Sequence, residues 1–212
     1  MSNIENLKQY LREEEGLKLE AYLETTTNKW HIAYGHLLDQ DQTDVELDIL
    51  GLDEELDDWS ELTVTEEQAE ELLSVDIHDA VVSLTPTWSE EDLENLNPQR
   101  FIALMSMCFQ MGGHKIQNGF PSFTRAVLQE DWDRAGDEML WRDGLKQEVR
   151  SRWYKQTPGR CQEMSDWMKH GTTEPVLEES EELPEKDTVA IDKKFFEDLM
   201  SKTNKILEIL ES

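Results

Sequence analysis

The chain has 212 residues, of which 37% are hydrophobic and 8% aromatic, and a formal net charge of −28. This length allows one domain with an appendage or two small domains. No run of about eighteen apolar residues occurs, so no membrane span is predicted. From Trp30 to Gln99 there are 21 Asp and Glu residues and neither Lys nor Arg. Nucleic acid is therefore not an expected partner, because this surface would repel phosphate.

The acidic composition has two interpretations that the residues alone leave open. The carboxylates can keep the protein soluble, or suit a salty medium that screens them. Alternatively, the acidic surface docks onto a basic partner. Under either interpretation, the charge disfavours tight electrostatic binding to an anionic cell wall.

Cysteine and histidine usage predicts neither a metal site nor a cofactor. Cys108 and Cys161 are isolated and far apart in the sequence, a pattern typical of reduced, buried thiols. His31 and His36 lie five residues apart in a predicted strand. At that spacing they should project to opposite faces and could not easily share an ion.

The N-terminal part of the chain is predicted to combine helix and strand. Residues 1–16 lack the basic start and apolar run of a secretory signal. Within them, residues 3–14 carry apolar side chains at helical spacing, and Gly16 is expected to end that helix. Residues 17–36 alternate as short strands with turns. Residues 43–57 predict a short acidic helix.

The rest of the main domain is predicted to be helical. The sequence Thr-Glu-Glu-Gln beginning at Thr65 has the form of a capping box. Apolar spacing then continues the helix to Leu84, and this helix could join two lobes. After Pro98, apolar residues at helical spacing predict further helices as far as Gly171.

The composition changes near residue 171, which divides the chain into three predicted segments. Residues 1–171 form the main domain, and residues 172–187 read as an acidic linker with two prolines. Residues 188–212 return to a helical pattern with a short heptad seam. The seam consists of Phe196, Leu199, Thr203, Ile206 and Leu210. This helix could pack back on its own domain, anchor another protein or a second copy, or be a disordered tail.

Two glutamates near the N-terminus suggest a hydrolytic site. Cleaving a glycosidic bond needs a protonated acid at the leaving oxygen and a second group that attacks carbon or activates water. Glu15 is expected at the C-terminal end of a helix, where the macrodipole disfavours negative charge. Glu24, nine residues later, is expected in a wetter turn and more readily ionised. The same pattern is also typical of an ordinary solvated acidic face.

Several motifs, in one order, resemble the phage lysozymes of glycoside hydrolase family 24. In that family the first helix ends in Glu-Gly, a second acid follows nine residues later, and a Gly-x-Gly-His turn closes the motif. A central helix ending in Phe-Gln-Met-Gly and a Trp-Tyr-x-Gln-Thr-Pro-x-Arg segment lie further on. The matching positions are Glu15-Gly16, Glu24, Tyr34-Gly35-His36, Arg100–Gly112, Asn118-Gly119-Phe120 and Ser151–Arg160.

The resemblance implies an α+β fold that is mostly α. This is the two-lobed phage-lysozyme fold, with a small N-terminal β-sheet lobe, a connecting helix, a helical C-terminal lobe and here an extra C-terminal helix. It implies a muramidase that cuts the β-1,4 bond between N-acetylmuramic acid and N-acetylglucosamine in peptidoglycan, without metal or cofactor. Glu15 would be the general acid. Leu37 and Phe109 would line the saccharide groove, with Gly35 and His36 also at the substrate.

Three departures from the family pattern bear on the predicted chemistry. The second acid, usually Asp, is Glu24, and one more methylene moves the carboxylate by about an ångström. His31 replaces the threonine that holds the attacking water. It could supply the base together with Glu24, attack the sugar carbon and make the enzyme retaining, or act only as a hydrogen-bonding spacer. Ala33 replaces the first glycine of the turn, a mild change if its φ is negative.

Two classes of function follow from these observations. The first is a phage-encoded muramidase, made in the cytoplasm of an infected bacterium and acting in the periplasm or cell wall, at lysis or at entry. The acidic linker and terminal helix favour a virion-associated enzyme, with residues 188–212 bound to a virion protein, because a free lysin needs neither. The anionic surface favours the same interpretation, because a tethered enzyme needs no charge to find its substrate. The second class is a structural protein of a phage particle that retains the fold with a weakened site.

Overall fold

The computed structural model describes residues 3–25, 27–54, 56–142 and 146–172. Three strands form one antiparallel sheet in the order β1-β2-β3, and most of the remaining structure is helical, which confirms the predicted α+β class. The strands are β1 (Lys18–Glu24), β2 (Lys29–Ala33) and β3 (His36–Leu38). The helices are α1 (Asn3–Glu15), α2 (Asp44–Leu50), α3 (Glu66–Leu84), α4 (Glu90–Glu94), α5 (Pro98–Met111), α6 (Gly113–Gly119), α7 (Pro121–Leu128), α8 (Trp132–Leu140), α9 (Arg152–Gln156) and α10 (Pro158–His170).

The sheet has one face toward a core and one face that carries polar side chains. Tyr22 pairs with His31, and His31 pairs with Leu37, so these three residues form a row across the strands. Side chains alternate between faces along a strand. Accordingly Ile32 and Leu38, at alternate positions, are buried in the small-lobe core. The row of Tyr22, His31 and Leu37 therefore lies on the face opposite that core.

The pairing of β1 with β2 shifts register between Lys18 and Tyr22, because the residues between them form backbone hydrogen bonds with a different segment. Residues 19–21 pair with residues 62–64, with backbone N···O distances of 3.0 and 2.9 Å. Extra residues in one strand of an antiparallel pair bend and twist that strand. The slip thus changes the direction of β1 just before it reaches Tyr22.

Helix α3 connects two hydrophobic cores. The predicted capping box is present, with Thr65 accepting from the amide of Gln68 and the Gln68 side chain bonding back. Near its start Leu72 packs in the small-lobe core, and further along Ile77 packs in the large-lobe core. Leu7 of α1 belongs to the large-lobe core as well. The first helix is therefore part of the second lobe, a placement that the sequence analysis did not predict.

Two helices differ from the sequence predictions. The helix predicted over 43–57 ends at Leu50, because Gly51 adopts φ of +73° and closes it with a left-handed cap. Helix α4 was not predicted, although Ser89 and Asp92 form a complete capping box at its start. Both differences are decided by the local chemistry at helix ends rather than by apolar spacing.

A hydrogen-bonded cluster ties α1 to α3 and to the turn after β2. Arg12 donates to both carboxylate oxygens of Glu70, at 2.8 and 2.6 Å. The hydroxyl of Tyr34 donates to Glu70 Oε1 at 2.9 Å. Burial opposes ionisation of this carboxylate, but the bonds from Arg12 and Tyr34 outweigh it and lower the pKa of Glu70. The cluster joins α1, which carries Glu15, to α3 and to the turn after β2.

The first and last described residues of the domain meet at one turn. Asn3 Nδ2 donates to the carbonyl of Leu96 at 2.8 Å. Asn97 Nδ2 donates to the carbonyl of Gly171 at 3.0 Å. The start of α1 and the end of α10 are therefore held by two consecutive residues.

Both cysteines lie in the helical lobe. Cys108 and Cys161 are buried and not joined in a disulfide, as predicted, and burial raises the pKa of both thiols, that of Cys161 to about 12. Among the described residues, none of the helices combines the length and apolar character that crossing a membrane requires. Apart from Thr172, the predicted linker and the helix at 188–212 fall outside the described residues.

Candidate active site

Glu15 is the last residue of α1, and Gly16 follows it with φ of +68°. The Glu15 side chain is 33% exposed. Arg160, in the first turn of α10, donates to Glu15 Oε1 at 2.8 Å and to Glu14 Oε2 at 3.1 Å. A bonded guanidinium favours the ionised form of a carboxylate. The sequence analysis did not anticipate this cation from α10 beside the end of α1.

Glu24 ends β1 and points toward His31. Its Oε2 accepts a hydrogen bond from the hydroxyl of Thr27 and lies 3.8 Å from His31 Nε2. The Glu24 side chain is 44% exposed, whereas that of His31 is 19% exposed. The structure thus brings two of the predicted catalytic residues together, with the carboxylate on the solvent side and the imidazole behind it.

Both predicted acids affect the pKa of Tyr22. Its phenol lies on β1, one alternate position before Glu24. Burial raises the pKa of Tyr22, and the negative charges of Glu24 and Glu15 raise it further. Charges act on a group in this way only over short distances in a protein. Glu24 and Glu15 are thus the two carboxylates whose charge acts on this phenol.

The imidazole of His31 has a defined orientation. Its Nδ1 is 3.0 Å from the carbonyl oxygen of Gly35, and since a carbonyl only accepts, Nδ1 is the protonated nitrogen. Within the part of the chain that the structure describes, Nε2 is buried and has no hydrogen-bond partner. A buried nitrogen cannot reach a sugar carbon in this conformation. The geometry favours a role for His31 behind Glu24 over direct attack on the sugar.

His36 lies in a different environment from His31. Residues 30–36 do not form one strand; the chain turns, and His36 begins β3. Its side chain is only 3% exposed, with Nδ1 2.9 Å from Asp76 and Nε2 3.1 Å from Gln42. Glu46 lies 3.8 Å from Nε2. Burial lowers the pKa of His36, but the hydrogen bonds and carboxylate charges outweigh burial and raise it to about 9.

The buried position of His36 corrects one sequence prediction. A ring held between β3, α2 and α3 cannot contact a saccharide directly. His36 instead holds these three elements together, because both nitrogens of the protonated, positively charged imidazole donate hydrogen bonds. The described residues include no group of three or more His, Cys, Asp or Glu side chains that could hold a metal ion.

The remaining predicted site residues are Leu37, Gly35 and Phe109. Leu37 is partly buried and pairs with His31, and Gly35 is exposed with φ of +97°. Phe109 is partly buried at the edge of the large-lobe core. The next residue, Gln110, accepts a hydrogen bond from the indole of Trp153. Contact of Leu37, Gly35 and Phe109 with substrate stays a prediction.

Ala33 does not meet the condition under which its replacement of glycine would be mild. It has φ of +56°, not a negative value. A left-handed conformation costs a residue with a Cβ about 1–2 kcal/mol. The Ala33 methyl is buried in the small-lobe core, which recovers about 0.8 kcal/mol. Alanine is thus tolerated at this turn by packing rather than by favourable backbone geometry.

Sequence reasoning missed two residues of the site. Arg160 is the last residue of the Trp-Tyr-x-Gln-Thr-Pro-x-Arg segment, but nothing in its local pattern assigns it to Glu15. Tyr22 could have been found by alternation, because it precedes Glu24 by two positions in a strand and so shares its face. Together these residues complete an arrangement with one carboxylate beside a guanidinium and another beside an imidazole.

Comparison with known proteins assigns the chain to a family. A family model described as phage lysozyme matches residues 12–152. Two proteins of Dictyostelium discoideum, described as probable T4-type lysozyme 1 and probable T4-type lysozyme 2, are 28% and 27% identical to the chain over 177 and 175 residues. Each alignment covers 80% of this chain and 96% of the relative. The chain therefore belongs to the phage lysozyme family, and it is a glycoside hydrolase of the muramidase type.

Proposed function

We propose that the chain hydrolyses the β-1,4 bond between N-acetylmuramic acid and N-acetylglucosamine in bacterial peptidoglycan. One observation carries the proposal: a chain of this family has Glu15 at the end of α1 and Glu24 at the end of β1, with Glu24 Oε2 3.8 Å from His31 Nε2. Two carboxylates flanking the bond suffice for this reaction without a metal or cofactor. Family membership and the names of the relatives support the same class of reaction.

In this proposal Glu15 is the general acid. It donates a proton to the glycosidic oxygen as the bond to the anomeric carbon breaks. Because Arg160 pairs with Glu15 in the free protein, Glu15 must take up that proton as the saccharide covers the cleft. Exclusion of water by the substrate favours the neutral acid. Arg160 then remains paired with Glu14, to which it already donates.

Glu24 is the base in the same reaction. Its exposed carboxylate accepts a proton from the water that attacks the anomeric carbon from the opposite face of the sugar. His31 supports this role from behind, because its Nε2 lies 3.8 Å from Glu24 Oε2. The hydroxyl of Thr27, which donates to the same oxygen, further restricts the longer glutamate side chain. This assignment predicts inversion at the anomeric carbon.

The decisive experiment compares Glu15→Gln with a matched variant on purified peptidoglycan. Loss of a general acid costs about 100-fold or more, so Glu15→Gln should lose essentially all release of reducing sugar. Glu13→Gln removes the same charge from an exposed position on the same helix and should keep wild-type activity. Wild-type hydrolysis that survives Glu15→Gln would rule out the assigned acid.

A second experiment decides the role of His31. The product anomer is followed by NMR during hydrolysis, and we expect the inverted anomer from the wild type and from His31→Asn, the latter about tenfold slower. His114→Asn, which changes an exposed histidine of α6, is the control and should not change the rate. A retained anomer in the wild type that is lost in His31→Asn would show that His31 attacks the sugar.

A second candidate function has specific support. The Arg160–Glu15 ion pair and the replacement of the family threonine by His31 are features that a weakened site would also have. The chain would then be a structural protein of a phage particle with a lysozyme fold. Absence of hydrolysis by the wild type from about pH 5 to 8, the range in which perturbed acids and histidine titrate, and over a range of salt, would favour this alternative.

The setting of the activity is also a proposal. A phage-encoded enzyme that is made in an infected bacterium and acts on its wall fits the family, and the sequence pattern of residues 188–212 favours attachment to a virion protein. Deletion of residues 172–212 tests the attachment. The truncated chain should fail to enter particles while it keeps its activity on peptidoglycan. Undiminished incorporation would contradict the attachment and leave the enzymatic proposal intact.

A further inference from the structure

Tyr22 makes two contacts that the proposed reaction does not yet use. Its ring stacks on His31, with ring centroids 5.7 Å apart and planes inclined by 28°. The ammonium of Lys18 lies 3.6 Å from the centroid of the same ring. Lys18, Tyr22 and His31 thus form a short column of cation, phenol and imidazole beside Glu24.

The backbone explains why this column forms. Tyr22 and His31 are direct partners across β1 and β2, and directly opposed side chains on one face of a sheet are in contact. Lys18 lies four residues before Tyr22, which is about 13 Å along a regular strand. The register slip between these two residues bends β1, and the lysine reaches the ring.

The hydrogen bond and the stacking fix different features of the imidazole. The hydrogen bond from His31 Nδ1 to Gly35 fixes which edge of the ring faces the backbone, but small rotations about the side-chain bonds can still tilt the plane of the ring. A second ring stacked on the face of the imidazole restricts that tilt. With both constraints, Nε2 is held toward Glu24, 3.8 Å from its Oε2.

We infer that Tyr22 is a positioning residue of this enzyme, which acts by holding the plane of His31 so that Nε2 faces Glu24. The inference rests on the proposed function for its effect on rate, but not for the stacking itself. Lys18 holds Tyr22 in turn through the cation–π contact. The phenol hydroxyl has no part in this role; the ring does.

A double-mutant cycle tests whether Tyr22 acts through His31. Tyr22→Leu should lower kcat about tenfold with KM changed less than about twofold, because the loss is one of alignment. Tyr22→Phe keeps the ring and should stay within about twofold of the wild type. In a His31→Asn background, Tyr22→Leu should cost less than about twofold more, since its target is gone. Equal losses in both backgrounds, or a loss in Tyr22→Phe as large as in Tyr22→Leu, would overturn the inference.

Lys18 provides a graded version of the same test. Lys18→Met keeps the aliphatic stem but removes the cation over the ring, so kcat should fall by about two- to threefold. Lys115→Met removes one positive charge from an exposed site on α6 and should leave kcat unchanged. An equal effect of the two substitutions would show that overall charge, not the contact with Tyr22, is responsible.

A spectroscopic measurement separates this inference from the proposed function. The ring ¹H and ¹⁵N signals of His31 are recorded in the wild type, Tyr22→Phe and Tyr22→Leu. We expect shifted or broadened ring signals only in Tyr22→Leu, since an unstacked imidazole samples several orientations. Unchanged signals in that variant would overturn the inference, whatever the activity. If the wild type hydrolyses nothing, the proposed function fails while the NMR result still decides the role of Tyr22.

Discussion

The pair formed by buried His36 and partly exposed Asp76 should make the stability of this protein strongly pH-dependent. The 2.9 Å bond to Asp76, together with Gln42 and Glu46, outweighs the effect of burial and raises the pKa of His36 from 6.5 to about 9. At about 1.36 kcal/mol per pH unit, this difference corresponds to about 3 kcal/mol of unfolding free energy. The folded protein holds the proton more tightly than the unfolded chain. The contribution is therefore complete below about pH 6.5 and is lost as the pH rises through about 9.

Denaturation of the wild type and Asp76→Asn by urea measures this contribution. At about pH 6 the variant should be less stable by about 2 kcal/mol, because Gln42 and Glu46 still hold part of the raised pKa of His36. At about pH 10 this difference in unfolding free energy should be smaller by about 1 kcal/mol or more. Glu71→Gln, which removes an exposed carboxylate from the same helix, should show a small gap that does not depend on pH. A difference in unfolding free energy between the wild type and Asp76→Asn that is equal at both pH values would refute the reasoning. An NMR titration of His36 with a midpoint near 6.5 would refute it as well.

Two further predictions concern the helices that support the site. Gly113→Ala should lower the unfolding free energy by about 2–3 kcal/mol, because the new Cβ would lie 2.6 Å from the backbone oxygen of Ser83. The control Gly119→Ala, with open space around it, should be near neutral. Equal urea midpoints for the two variants would contradict the packing argument. Thr65→Ala removes the cap bonded to Gln68 and should cost about 1 kcal/mol, so an unchanged midpoint would show that α3 does not depend on its capping box.

The fold was predictable wherever a helix carries its own start or stop signal. Gly16 and Thr65 mark the end of α1 and the start of α3, and both boundaries follow from local hydrogen bonding and backbone conformation. Two other helix boundaries carry the same kind of start or stop signal, but they were not predicted. Gly51 ends α2 and Ser89 begins α4, although apolar spacing alone suggested otherwise. The attachment of α1 to the second lobe was not predicted, because no local pattern encodes a contact between distant parts of the chain.

The site was only partly predictable for the same reason. Glu15, Glu24 and His31 could be named from their spacing and from the family motif. The cation on Glu15 comes from Arg160, which is 145 residues away in the sequence, and a pattern along the chain carries no information at that distance. The stacking of Tyr22 on His31 depends on strand register, which is set by hydrogen bonds that the sequence does not display.

The meeting of Asn3 and Gly171 at the Leu96–Asn97 turn has a practical consequence. A domain whose two termini are neighbours can be spliced into a surface loop of an unrelated protein through a pair of short tethers. It can equally be circularly permuted, with the old termini fused and new ones opened at an exposed loop tip. The residues from Asn3 to Gly171 could thus be inserted as one unit into a host protein, and the helices and strands that carry the site would keep their native order.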